Sequence, residues 1–175
     1  MKAKWKNWWW YHWGHVLLAV AVLAIVLYSV LPGLLTPKPD YRVAVVARSG
    51  LSDEAAAALE QRLQGAADDR NGDGKVLLRL QLFALDLSET ANVGENYMEA
   101  AKLDADLASG LSELFLIDDP AGFERSVAAA VEPGVPCASL PLFEGLALPE
   151  GAVFTIRADA SPQARSLYER IAAGS

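Results

Sequence analysis

Two kinds of hydrophobic pattern follow each other along the chain, and the change falls near residue 36. From Val16 to Leu31 every residue except Ser29 is apolar, and Trp13-Gly14-His15 extend the run on one side. An α-helix crosses a bilayer core with about 20 largely apolar residues. Trp13 to Leu35 supplies that length, with Pro32-Gly33 as its outer exit, so the pattern predicts a transmembrane helix over 13–35. Further on, the apolar residues break into short runs. Tyr41-Arg42-Val43-Ala44-Val45-Val46-Ala47 is rich in β-branched residues and nearly free of polar breaks, as a buried strand requires. Val76 to Leu85, Leu114-Phe115-Leu116-Ile117 and Ala152 to Ala158 read as three more strands.

Between these strands the period becomes helical. Ser52 precedes Asp53 and Glu54, a cap and a first turn where the helix dipole favours acids. Ala55, Leu59 and Leu63 form the apolar stripe, with Gly65 near the end. A second helix, from about Glu95 to Ser109, turns Leu103, Leu107 and then Leu111 inward. Asp119-Pro120 is an N-cap followed by the first helical position, and that helix is expected to run to about Val131. Pro133, Pro136, Pro141 and Pro149 make the next stretch irregular, and Ser161-Pro162 opens a last helix ending near Ala173. Strand and helix alternate, which implies an α/β fold: a single three-layer domain with a mostly parallel sheet. The predicted organisation is a tail over 1–12, the membrane helix over 13–35, a linker over 36–40 and the α/β domain over 41–175.

Composition sharpens the first part of this picture. Trp5, Trp8, Trp9, Trp10 and Trp13 are the only tryptophans, and Tyr11 lies among them. Indole rings favour the headgroup layer, where the apolar ring and the N–H are both satisfied. His12 and His15 lie in the same belt and read as interfacial side chains rather than metal ligands. Lys2, Lys4 and Lys6 sit outside the aromatics and favour a cytoplasmic N-terminus, although Lys38, Arg42 and Arg48 follow the helix. The apolar core exceeds that of a cleaved signal, and no small-x-small site follows it. The reading is an uncleaved signal anchor in the cell membrane, with the lipid bilayer as partner of one helix and the domain extracellular.

Beyond Lys6 the chain holds 12 basic and 22 acidic residues, a net charge of −10. That excludes nucleic acid as a partner and disfavours docking on anionic lipid. Cys137 is the only cysteine, so no intramolecular disulfide supports the domain and its core must do so.

Candidate chemistry is sparse. Asp69-Arg70-Asn71-Gly72-Asp73-Gly74-Lys75-Val76 matches the front half of an EF-hand calcium loop. Asp69, Asn71 and Asp73 stand where side-chain oxygens one, three and five belong, and Lys75 where a backbone carbonyl is donated. The twelfth position, which should carry a bidentate glutamate, is Leu80. Asn-Gly and Asp-Gly pairs also serve tight turns through positive φ angles, and the missing glutamate favours that reading over a weak calcium site. Asp118-Asp119 closes a strand, where α/β ligands often sit, but Asp119-Pro120 makes a strand end plus an N-cap the better explanation of the pair. Neither histidine lies in the outer domain, so no Ser-His or Cys-His nucleophile can form there. Gly72 and Gly74 follow a helix, and no Gly-Lys-Ser/Thr occurs, so no phosphate-cradling loop is present. Cys137 has no base or second thiol near it in sequence. The domain is not expected to be an enzyme or to need a cofactor.

The order of elements resembles one lobe of a type 2 extracytoplasmic solute-binding protein. The likeness is carried by "YRVAVVA", "ENYMEAAKLDADLASG", "ELFLIDDP" with "GF" behind it, and the late "GAVFTIRAD". In that family such a helix–strand pair precedes the crossover between lobes, and a late strand returns to the first lobe. The chain is also similar to small membrane-anchored proteins of Gram-positive bacteria that carry an aromatic-rich tail, one helix and an Asn-Gly-Asp-Gly turn. The family clasps its ligand between two lobes, whereas the outer residues here fit one domain, so no ligand residues carry over. The resemblance implies a non-enzymatic binding or interaction role in the envelope. The alternative is a solute-binding or calcium-dependent accessory of a membrane transporter.

Overall fold

The hydrophobic runs after residue 40 assemble into one sheet in a computed structural model describing residues 2–35, 38–88, 93–127 and 131–174. Its strands are β1 (Tyr41–Ala47), β2 (Leu78–Ala84), β3 (Leu114–Ile117), β4 (Val135–Pro136) and β5 (Val153–Ile156). Their order across the sheet is β2-β1-β3-β5-β4. The helices are α1 (Lys2–Leu35), α2 (Asp53–Ala66), α3 (Val93–Ser109), α4 (Pro120–Ser126) and α5 (Pro162–Ala172). The chain divides into two units, Met1–Lys38 and Pro39–Ser175.

The fold is α/β, but the sheet is mixed where the alternation predicts a mostly parallel one. β1 runs parallel to β2 and β3, while β5 runs antiparallel to β3 and β4. Alternation forces parallel neighbours only where a helix carries the chain back across the sheet. After α4 the proline-broken stretch replaces that crossover, and β5 enters in the opposite sense. The same stretch hides β4, whose two residues end on Pro136. A strand with proline is tolerated because this one lies at the sheet edge.

α4 is also shorter than its sequence suggests. It ends at Ser126, with Val127 as C-cap at φ −136°. Val131, expected at the helix end, forms an antiparallel bridge with Arg157; the three positions between lie outside the described residues.

The strand faces explain the uninterrupted run in β1. Val43, Val45, Leu114, Leu116, Phe154 and Ile156 meet Leu59 and Leu63 of α2 and Leu167 and Ile171 of α5 on one side. Ala44, Val46, Phe83, Phe115 and Ile117 meet Leu103 of α3 and Phe123 of α4 on the other. With both faces covered, neither parity of β1 is free to be polar. Helix starts are capped locally: Ser52 accepts from the Ala55 N–H at 3.2 Å, Asp119 from Gly122 at 2.9 Å and Ser161 from Ala164 at 3.3 Å.

α1 is a 34-residue helix, about 51 Å long at 1.5 Å per residue. It starts inside the stretch read as a tail and continues through Pro32-Gly33. The segment His12–Ser29 is long and apolar enough to cross a membrane. The side chains of Trp5, Trp8, Trp9 and Trp10, and linker residues Thr36 and Pro37, lie outside the described residues.

Candidate functional site

The calcium-like loop is closed by its own backbone. Asp69 Oδ1 accepts the Gly72 N–H and Oδ2 the Gly74 N–H, both at 2.7 Å. Asn71 Oδ1 accepts from Asp73 at 2.8 Å, and Asp73 Oδ1 from Lys75 at 2.9 Å. Gly72 and Gly74 take φ of 75° and 79°, a region that glycine enters without steric cost. Leu80, at the twelfth position, packs against the core beside Leu78. Among the described residues no group of three His, Cys, Asp or Glu side chains is placed to hold a metal.

Beneath this loop lies Asp40, which sequence reading assigned to the linker. It is 4% exposed. Its Oδ1 accepts the N–H groups of Arg70 at 3.0 Å and Asn71 at 2.9 Å, and its Oδ2 that of Leu77 at 2.8 Å. Asp40 N–H in turn donates to Leu77 O at 2.7 Å. Arg70 reaches Glu113 at 2.5 Å and lies over the Tyr41 ring at 5.9 Å. One buried carboxylate thus ties the loop to the start of β1.

Each of these oxygens keeps a second lone pair, so the case against calcium rests on Leu80, which replaces the bidentate acid at the twelfth position. We expect millimolar calcium to leave the thermal midpoint unmoved. A site with a Kd on the order of 10⁻⁴–10⁻³ M, as in extracellular modules, would at ten-fold excess add about 1.4 kcal/mol. A rise of several degrees that Asp69→Ala and Asp73→Ala abolish, and magnesium reproduces poorly, would reassign the loop as a metal site.

The other sequence candidates are scattered. His12 and His15 lie on α1 with ring centroids 6.3 Å apart. Cys137 is 4% exposed in a 3₁₀ turn, Cys137–Ser139, and burial pushes its thiol from 9.0 up to about 12. A thiol held neutral is a poor nucleophile. The sign of its linkage is fixed. Above pH 9 the unfolded chain loses this proton while the folded chain keeps it, so stability should fall as pH rises from about 9 to 12. Cys137→Ala should flatten that part of the pH–stability curve; an unchanged slope would assign it to other groups.

Asp118 and Asp119 do meet other chemistry. β1 leads into α2 on one face, while β2 leads through α3 on the other face into β3. The connections therefore diverge between β1 and β3, the place where α/β sheets leave a crevice at their carboxyl ends. A cavity of about 400 Å³ opens there between Arg48 and Ser49 at the β1 exit and Asp118 and Asp119 at the β3 exit. Glu150 adds a third carboxylate, and Leu87 and Pro149 supply apolar wall.

The crevice is built by cross-strand bonds. Asp118 N–H extends the ladder to Val46 O at 3.1 Å, and Asp118 Oδ2 accepts the Arg48 N–H at 2.7 Å. Arg48 Nε stands 3.0 Å from Asp86 Oδ1. The Ser88 N–H and hydroxyl, and then the Arg48 guanidinium, hold the Asp86 carboxyl below the usual range. Asp119 Oδ1 is committed to the α4 cap, and a Cβ on Gly122 would lie 2.7 Å from Leu87 O. The lining offers one guanidinium, one hydroxyl and three carboxylates, groups suited to hydrogen bonding and charge matching. Sequence reading named Asp118 and Asp119 but missed Arg48, Ser49 and Glu150. For Arg48 and Ser49 the available signal was their position directly after the apolar run of β1.

The chain matches no known protein family, no curated protein and no solved structure.

Proposed function

We propose that this is a single-pass membrane protein, N-terminus cytoplasmic, that displays its α/β domain outside the cell and acts there by non-enzymatic binding or interaction. The observation that carries the binding role is the polar crevice between the exits of β1 and β3. The plan of one lobe of a type 2 solute-binding protein is supported by β5, which re-enters the sheet antiparallel beside β3. The cavity volume also favours the second reading, a solute-binding accessory of a membrane transporter, because small-molecule sites span roughly 300–1,000 Å³.

Thermal midpoints of the full chain in detergent, measured against amino acids, amines and sugars, test the crevice. A ligand at a hundred times its Kd should stabilise by about 2.7 kcal/mol, and Ser49→Val with Glu150→Gln should remove that gain. A rise that survives both substitutions would place the ligand elsewhere, and a silent panel would rule out these three classes of solute. Topology needs an added thiol, since Cys137 is buried. In a Cys137→Ala background, Gln163→Cys on the exposed side of α5 should react with an impermeant maleimide in intact cells. Reaction only after permeabilisation would place the domain inside.

A further inference from the structure

Ligands of open α/β sheets sit where the connections diverge, and anions are favoured there when helix N-termini aim unpaired amides into the crevice. The crevice between β1 and β3 is built the other way. Ser52 already takes the Ala55 N–H of α2 and Asp119 the Gly122 N–H of α4, and Asp53 and Glu54 fill the first turn of α2. The lining sets Asp118, Asp119 and Glu150 against Arg48 as its one base. That base is spent outwards. Its Nε stands 3.0 Å from Asp86 Oδ1, and Asp86 does not line the cavity. Asp118 and Asp119 accept from the backbone N–H groups of Arg48 and Gly122, neutral donors that leave the carboxylate charge in place. Among the described residues none of the three lining acids lies in an ion pair.

We infer that the crevice selects a small organic cation, a solute carrying at least one protonated amine on a short carbon skeleton. This rests on the crevice being the binding site, as proposed above. Carboxylates that share one cavity without a counter-charge repel one another. An ammonium among them relieves that repulsion, and an anion adds to it. Leu87 and Pro149 offer wall to the carbon skeleton, and the Ser49 hydroxyl can accept from the amine. A bare metal ion fits less well. No group of three His, Cys, Asp or Glu side chains among the described residues converges closely enough to hold one, whereas an amine needs only one or two carboxylates at hydrogen-bond distance.

Two trios of matched skeleton separate charge from fit: cadaverine, pentanediol and glutarate, then glucosamine, glucose and glucuronate. Each is titrated calorimetrically into the full chain in detergent, near neutral pH and at one fixed ionic strength. We expect at least one of the two cations to bind about ten-fold more tightly than the neutral and anionic members of its trio. Glu150→Gln should weaken that binding, and Glu150→Lys should abolish it. Glu169→Lys makes the same change of net charge at an exposed position of α5 outside the lining, and should leave it intact. A neutral or anionic member that binds as well as its cation, with Ser49→Val removing both, keeps the crevice as a binding site and overturns the cation. Cation binding that survives Glu150→Lys, or that Glu169→Lys also removes, belongs to the acidic surface at large and overturns the proposal. Silence from all six solutes overturns it as well.

Discussion

Asp40→Ala should lower the thermal midpoint of the domain by roughly 10 °C. Three backbone N–H groups, on Arg70, Asn71 and Leu77, converge on this one buried carboxylate. A hydrogen bond to a charged group contributes about 1.5–3 kcal/mol, and an orphaned buried donor costs a similar amount. Water reaching the exposed loop will recover part of that, which leaves a net loss of about 3 kcal/mol. In a domain spanning Pro39–Ser175, each kcal/mol moves the midpoint by about 3–4 °C. Asp40→Asn keeps one acceptor oxygen and should recover about half the loss. Amide exchange should quicken at Arg70, Asn71 and Leu77 before the strand amides respond. A midpoint within 2 °C of wild type would show that the loop does not depend on Asp40.

Gly122→Ala carries the second large effect, and its sign runs against expectation for a helix. Alanine in place of glycine usually stabilises a helix by about 1 kcal/mol. Here the added Cβ would stand 2.7 Å from Leu87 O and closer still to the Asp119 carboxylate that caps α4. Relief requires Asp119 to abandon the cap, at about 1 kcal/mol, and the segment at Leu87 to move, at roughly 1–3 kcal/mol of overpacking. After the helix gain is subtracted, the net should be a loss of about 1–3 kcal/mol, seen as a midpoint lower by roughly 3–12 °C. Asp119→Ala in the same chain removes one of the two clashes, so the double variant should lose less than the sum of the singles. A stabilised Gly122→Ala would mean that the backbone at Leu87 stands further from Gly122 than the 2.7 Å approach implies.

What was legible in the sequence follows from the range of the forces involved. β1, β3 and the three capped helix starts depend on neighbours in the chain, and a local pattern records them. β4 has two residues and a proline, too few to show any period. Asp40 looks like linker because its partners sit 30, 31 and 37 positions away. The crevice draws on positions near 48, 87, 118 and 150, and only the Asp118-Asp119 pair is dense enough to stand out in the sequence. The loop at Asp69 was ambiguous for a different reason. Calcium coordination and side-chain-to-amide turns call for the same Asp, Asn and Gly residues, and the two differ in the acid at the twelfth position, which here is Leu80.

The position of β5 bears on how the protein is made. This strand, next to last among the elements, lies inside the sheet, bonded to β3 on one side and β4 on the other. A nascent chain on the ribosome therefore presents β3 with one bare edge, and β4 with no strand partner, until Val153–Ile156 has emerged. Closure waits until β5 has been made. A premature stop codon between α4 and β5 leaves an open sheet with unpaired backbone groups, a species prone to aggregation and quick to meet the proteases that clear failed translation products.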